Sequence, residues 1–357
     1  MPPYHILVIN PGSTSTKVAV YEDERPLCVS TIRHTPEELA AYAQIIDQHD
    51  FRRQLVTDWL AQNNIPLRFD AIIGRGGLIK PIPGGVYRVN RKMCFETYYA
   101  LRKHACNLGC ILAYELAKEQ GGGCQAYIAD PVTVDELVPE ARVSGSPLMP
   151  RLAIWHALNQ RAIARRYARQ VGCSYNDLNL IVCHLGGGIS VAAHEHGRAI
   201  DANNALDGEG PLSPERAGTL PAADLIHLCY SGRYTEEQLK KRVAGQAGLM
   251  AHLGTTDILQ IMQMIEQGNE RARLLINAMI FHTAKQIAAE GAVLCGRVDA
   301  ILLTGGMAHS AYITEGIKQR VSYLAPVHVF PGEDEMEALA LNALAVLRGE
   351  CQAKEYE

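Results

Sequence analysis

The chain has 357 residues, 48% of them hydrophobic and 20% charged, with a formal net charge of −4. This is a globular composition, long enough for two domains of ordinary size, and its weak negative charge offers nothing to nucleic acid or to an acidic membrane surface. No apolar run reaches the roughly 18 residues a membrane span needs. The ten cysteines include no C-x-x-C pair and read as reduced, mostly buried thiols. With no signal-like segment ahead of the first apolar run, a cytoplasmic protein acting on small molecules is the expectation.

Residues 5–10 (HILVIN) and 17–21 (KVAVY) have strand character, and Pro11 to Thr16 form a tight turn between them. The turn can expose backbone N–H groups, its hydroxyls add donors, and Lys17 stands beside them. Such a set can cradle phosphate oxygens or be an ordinary polar hairpin. It is not a Walker loop, because the GK[ST] ending that opens a helix is missing. Residues 27–33 read as a third strand and 36–63 as helical. Residues 70–74 (DAIIG) form a strand ending in Arg75-Gly76-Gly77, followed by Pro81, Pro83, Gly84 and Gly85, a loop suited to a site wall. Helical periodicity over 95–118 and a strand over 124–129, ending at Asp130-Pro131, complete a first domain at 1–150.

A second unit over 151–334 starts with a helix at 152–171. A strand at 178–183, the turn His184-Leu185-Gly186-Gly187-Gly188 and a strand at 189–193 then repeat the opening order. ILVINPGSTSTKVAVYEDERPL against LIVCHLGGGISVAAHEHGRAI is read most economically as an internal duplication; two unrelated hairpins are the alternative. His194 and His196 are read as residues of a solvent-facing turn. A polar loop over 206–218 carries Arg216, and helices fill 222–293. A strand at 299–303 runs into Gly305-Gly306 and a helix, a join suited to a nucleotide base or ribose. The last helix, from about 335 to the end, is expected to complete the first domain.

Taken together, NPGSTSTK, GRGG, IADPVTVDEL, IWHALNQRA, CHLGGGISVAAHEHGRAIDANN, PLSPERAGTL, LLTGGMAHS and FPGEDEMEALALNAL resemble the acetate kinase and butyrate kinase family of the actin, sugar-kinase and chaperone ATPase superfamily. GGG after His-Leu, where acetate kinases carry a central Asn, and SPERAG in place of a T-R-S-G-D type sequence favour the butyrate kinase branch. The resemblance implies an α/β fold of two duplicated ribonuclease H-like (actin-like ATPase) domains, with mixed sheets flanked by helices and the active site in the interdomain cleft. It also implies transfer of the ATP γ-phosphoryl group to a short-chain carboxylate, giving an acyl phosphate and ADP, with Mg2+ or another divalent cation and at least a dimer.

Carried over by motif, Asn10, Ser13, Ser15 and Lys17 match the first phosphate element. His184 with Gly186, Gly187 and Gly188 matches the second, Gly305 and Gly306 the adenosine loop, and Asp257 an acid near the ribose or base. Arg75 and Arg216 match the active-site arginines, His156 a histidine beside the transferring phosphoryl, and Asp130 and Glu335 the metal-site acids, with Glu333 and Asp334 competing for the last role. Gly76 and Gly77 stand where acetate kinases carry valines near the substrate methyl, which implies a larger pocket and a four-carbon acid such as butanoate.

The chemistry suits these residue types. A carboxylate of pKa about 4–5 is ionised at neutral pH, so no general base is needed. The obstacle is one anion approaching another, which forked arginine donors neutralise. Isobutyrate, propionate or acetate is the nearest alternative substrate. A sugar kinase would need a base for a neutral hydroxyl, and an actin-like ATPase with an assembly role would not depend on a carboxylate.

Overall fold

The computed structural model describes residues 2–100 and 103–357. The chain forms two compact units, one of Met1–Val134 with Asp334–Glu357 and one of Asp135–Glu333. The division falls after Val134, so residues 135–150 belong to the second unit and not to the first domain read from the sequence.

The first unit contains, in order, β1 (His5–Pro11), β2 (Ser15–Glu22), β3 (Arg25–Arg33), α1 (Pro36–Ala40), α2 (His49–Gln62), β4 (Ala71–Arg75), β5 (Val86–Arg88), α3 (Arg91–Tyr98), α4 (Asn107–Gln120) and β6 (Gln125–Ala129). Its sheet has the order β3-β2-β1-β4-β6-β5. β1 pairs antiparallel with β2 and parallel with β4. This central placement is why Ile6, Leu7, Val8 and Ile9 are all fully buried and read as an unbroken apolar run. β3 is the outer strand, and its residues alternate between exposed and half-buried. α4 lies directly on β4. A Cβ on Gly74 would stand 2.0 Å from the Gly109 carbonyl oxygen, so only glycine permits this backbone contact, and it fixes the strand end that carries Arg75.

The second unit contains α5 (Pro139–Arg142), α6 (Ala157–Gln170), β7 (Asn179–Leu185), β8 (Ile189–Glu195), β9 (Arg198–Ala202), α7 (Ala222–Cys229), α8 (Glu236–Val243), α9 (Gly248–Leu253), α10 (Ile258–Glu266), α11 (Glu270–Val293), β10 (Ala300–Gly305), α12 (Ala311–Val321) and β11 (Val327–Pro331). Its sheet runs β9-β8-β7-β10-β11. β7 is antiparallel to β8 and parallel to β10, and β10 is parallel to β11. The first five strands of the other sheet, β3-β2-β1-β4-β6, have the same order and the same senses. Each third-strand pairing also carries a register shift, at Val20/Tyr21 and at Ala193/His194. The two units are two copies of one fold. A final helix, α13 (Glu335–Leu347), packs on β1 and β4 of the first sheet.

Several expectations change. Residues 36–63 form α1, a 3-10 turn at Ile45–Gln48 and α2, with the chain restarted after α1 at Gln44, whose N–H donates to Asp47 Oδ2 at 2.9 Å. The helix expected over 95–118 is α3 and α4, with residues 101–102 outside the described residues. The helix expected from 152 begins at Ala157. The thiols are not mostly buried: Cys106, Cys110 and Cys183 are, whereas Cys173, Cys229, Cys295 and Cys351 are exposed. β5 was hidden in the proline- and glycine-rich loop, and the tail reaches it. Arg88 N–H donates to the Lys354 carbonyl at 2.9 Å, and Lys354 N–H to that of Val86 at 2.8 Å. Among the described residues, no helix is long and apolar enough to cross a membrane.

Candidate active site

In the first unit, the opening turn sits between β1 and β2, with Asn10 opposite Lys17 in the ladder. Ser13, Thr14 and Lys17 are exposed, and Asn10 and Thr16 are buried. Asn10 Nδ2 donates to Glu335 Oε2 at 2.8 Å. Arg75 Nη2 pairs with the other oxygen of that carboxylate at 3.0 Å. Three residues distant in sequence thus meet at the ends of β1, β4 and the start of α13. Arg75 is 5% exposed, and its Nη1 is buried with no hydrogen-bond partner, a donor left available for an anion. Asp130 follows β6 at φ +39° and is fully buried. Its Oδ1 accepts from Gly85 N–H at 2.7 Å, and its own N–H donates to the Gly85 carbonyl at 3.0 Å.

The structure corrects one expectation here. Gly76 and Gly77 are buried and leave no enlarged pocket. A Cβ on Gly76 would lie 2.6 Å from Pro131 Cβ, and one on Gly77 would lie 2.6 Å from both Asn107 Cα and its Oδ1. They are glycines because neighbouring chain fills the space a side chain would need.

In the second unit, the turn after β7 and the turn after β10 come together. Gly305 has φ +93°, and a Cβ there would meet the Leu185 carbonyl oxygen at 2.4 Å, so the two strand ends abut. A cavity of about 650 Å³ opens beside them, lined by Gly186, Gly187, Glu215, Asp257, Gly306 and Met307 among others. Asp257 also caps α10, accepting from Leu259 N–H at 2.9 Å. The Gly187 carbonyl accepts from Ser213 Oγ at 2.7 Å and Glu215 N–H at 3.0 Å. Arg216 follows on this strap. Its Nη1 is 3.3 Å from Glu215 Oε2, and its Cγ would be 3.6 Å from a Cβ on Gly188.

His184 is buried against these turns. Its Nδ1 lies 2.8 Å from Asn159 Oδ1 and its Nε2 3.0 Å from Glu333 Oε1. His156 stacks on it with centroids 3.8 Å apart and planes 12° from parallel, while His156 Nδ1 meets Ser190 Oγ at 2.8 Å. Sequence reading missed Asn159, Ser190, Ser213 and Glu215. All four lie in motifs it used: Asn159 in IWHALNQRA, Ser190 in CHLGGGISVAAHEHGRAIDANN, and Ser213 and Glu215 in SPERAG, each within three residues of a residue chosen.

His194 is also corrected. It is not on a solvent-facing turn but fully buried in β8, between Tyr175 Oη (2.6 Å from Nδ1) and Gln160 Oε1 (3.2 Å from Nε2). Burial, with Arg161 and Arg165 nearby, pushes its pKa down to about 3. The cause is that β8 runs past His194 to Glu195 and lies inside the sheet, between β7 and β9, with both of its faces covered. His196 does sit exposed in the turn.

Among the described residues, no three or more His, Cys, Asp or Glu side chains gather to hold a metal. The donors at Asn10, Asp130 and Glu335 are hard oxygens, with the Glu335 side chain 17% exposed. Carboxylate oxygen is the donor type that Mg2+ takes, with water and phosphate oxygens completing its shell, and both Glu335 oxygens are engaged here by Asn10 and Arg75. Of the competing acids, Glu333 is turned to His184 and Glu335 to Arg75.

Comparison with known proteins identifies the family. The Acetokinase family model matches residues 153–328. A protein described as a probable butyrate kinase of Bacteroides thetaiotaomicron is 62% identical over 352 residues, covering 99% of each chain. Butyrate kinase 2 of Clostridium acetobutylicum is 48% identical over 356 residues, again 99% of each. Among solved structures, acetate kinase of Porphyromonas gingivalis matches with a TM-score of 0.78 at 17% identity, covering 96% of this chain and 100% of that one, which shows the shared fold. The chain belongs to the acetokinase family.

Proposed function

We propose that the protein transfers the γ-phosphoryl group of ATP to butanoate, giving butanoyl phosphate and ADP, reversibly and by direct transfer. The observation that carries this is the match to butyrate kinases along the whole chain, supported by the clustering of motif residues that are far apart in sequence. Asn10 and Arg75 each bond one oxygen of Glu335, and Gly186, Gly187, Asp257 and Gly306 share one cavity.

In the reaction, a carboxylate oxygen attacks the γ-phosphorus. The new C–O–P linkage forms as the bond to the ADP oxygen breaks, and no proton need be removed. Arg75 and Arg216 neutralise the approaching anions with fixed forked donors, and the free Nη1 of Arg75 is suited to an oxygen of acceptor or phosphoryl. His156 and His184 donate to phosphoryl oxygens, His184 from Nε2 in exchange for its contact with Glu333. Ser13, Ser15 and Lys17 with the opening turn, and Gly186, Gly187 and Gly188, bind phosphate groups. Gly305, Gly306 and Asp257 hold the nucleoside. Asp130 and Glu335 hold Mg2+, which when bound screens the charge of the phosphate chain. Asp130 is not a general base, consistent with its full burial.

The reading includes a cytoplasmic homo-oligomer, at least a dimer, which sedimentation would test. The substrate is tested by ranking kcat/KM over acetate, propionate, butyrate, isobutyrate and valerate, with the acyl phosphate trapped by hydroxylamine. Butyrate is expected to lead. Acetate as the best acid would refute the assignment of butanoate.

A further inference from the structure

Arg52 on α2 is fully buried and reaches the opening turn from behind. Its Nη1 donates to the carbonyls of Gly12 (2.9 Å) and Ser15 (3.0 Å) and to Thr16 Oγ1 (3.0 Å), and Nη2 lies 3.5 Å from the Ser13 carbonyl. The Thr14 carbonyl accepts from His34 N–H at 3.0 Å. Every carbonyl from Gly12 to Ser15 is therefore drawn inward, while Ser13 and Thr14 remain exposed. Thr16 Oγ1, which accepts from Arg52, also meets His34 Nε2 at 2.9 Å, which ties the strand end to the segment after β3.

The partner on the far side of the guanidinium is neutral. Gln48 Oε1 accepts from Nε at 3.0 Å and Nη2 at 2.8 Å, and among the described residues no carboxylate is a hydrogen-bond partner of Arg52. A buried cation without a counter-charge is costly, and burial lowers this guanidinium to about 10. An anion brought to the exposed side of the turn would offset that cost.

We propose that Arg52 is a positioning residue for phosphate binding, which shapes the turn through its carbonyls and leaves its own charge to be compensated by the anion the turn receives. This rests on the reading of the turn as a phosphate element. A purely structural clamp would tolerate, or gain from, a carboxylate at position 48. A clamp whose charge serves the ligand would not.

The test is calorimetric binding of inorganic pyrophosphate and of ADP to the full-length parent, Arg52→Gln, Gln48→Glu and, as control, Val56→Ala, a buried site one turn along the same helix. Arg52→Gln is expected to weaken binding at least about tenfold, and to raise the KM for ATP more than it lowers kcat. Gln48→Glu is expected to weaken binding at least about fivefold with Tm unchanged or higher. Val56→Ala is expected to lower Tm while leaving affinity within about twofold of the parent. Parent-like affinity in folded Gln48→Glu would overturn the proposal, as would a parent that binds no pyrophosphate or a control that loses as much affinity as Arg52→Gln. If Arg52→Gln does not fold, Gln48→Glu decides. A parent that binds pyrophosphate yet shows no acid-dependent turnover refutes the kinase reading and leaves the Arg52 comparison standing.

Discussion

Replacing Arg75 separates the stabilising part of the first-unit cluster from its chemical part. Arg75 and Glu335 form a pair at 3.0 Å with side chains 6% and 17% exposed, and the remaining contact of the carboxylate is Asn10 Nδ2 at 2.8 Å. Arg75→Ala strands Glu335 as a poorly solvated charge, which costs about 3 kcal/mol, at the lower end for a broken buried pair because Glu335 keeps some solvent and one donor. Arg75→Ala/Glu335→Ala removes the stranded charge and should recover part of that loss, since the two residues are coupled. Turnover should behave differently. An arginine on a transferring phosphoryl contributes roughly 10³–10⁵ in rate, so Arg75→Ala should lose at least about 10², or about 2.7 kcal/mol of barrier, and the double variant should recover none of it. Arg75→Lys should remain poor, because one ammonium cannot serve Glu335 and an anion with the geometry of a fork. Thermal denaturation gives the first quantity and hydroxamate formation from butyrate the second. Near-parental turnover in folded Arg75→Ala, or rescue of turnover in the double variant, would refute the assignment.

Three further outcomes follow from other parts of the molecule. Gly77→Ala should destabilise by about 1–3 kcal/mol through overpacking against Asn107 with no change in acid preference; a stable variant with altered preference in the acid panel would restore the pocket role that the geometry denies. Glu290 is 1% exposed, and burial raises its carboxyl from 4.5 to about 8. The folded state therefore keeps a proton that the unfolded chain releases, and stability falls as pH rises from 4.5 to 8. Glu290→Gln, which preserves the acceptor of the 2.8 Å bond from Gln286, should gain roughly 2–4 kcal/mol above pH 8 and nothing below pH 4.5, read from Tm across pH; a gain of equal size at both ends would contradict it. Asp257→Asn should keep the helix cap and Tm but raise the KM for ATP, while an unchanged KM would leave Asp257 as a cap alone.

The repeated hairpins were legible because period-2 apolar runs around a glycine or hydroxyl turn are local, and their order recurs in the topology of both sheets. The residues Asn10, Arg75 and Glu335 were legible as types at motif positions, but the contacts of Asn10 and Arg75 with Glu335 were not, because they join β1, β4 and α13 across as many as 325 residues. Gly76 and Gly77 show the opposite limit. Sequence reports a missing side chain and not what occupies its volume, which here is Pro131 and Asn107. His194 was misread because HEHG reads locally as a polar turn, whereas β8 continues to Glu195 and is covered on both faces by its place inside the sheet. Arg52 carries no motif and sits in an otherwise ordinary amphipathic stretch, so its grip on Gly12 and Ser15 emerges only once α2 is placed behind the turn.

The central claim is that a carboxylate, and not water or a hydroxyl, receives the phosphoryl group. Phosphorus NMR of the protein with ATP, Mg2+ and butyrate, without a trapping agent, tests it most directly. An acyl phosphate resonance growing in step with ADP, and absent when butyrate is omitted, is the expected result. ADP and inorganic phosphate accumulating at the same rate with or without butyrate would contradict it.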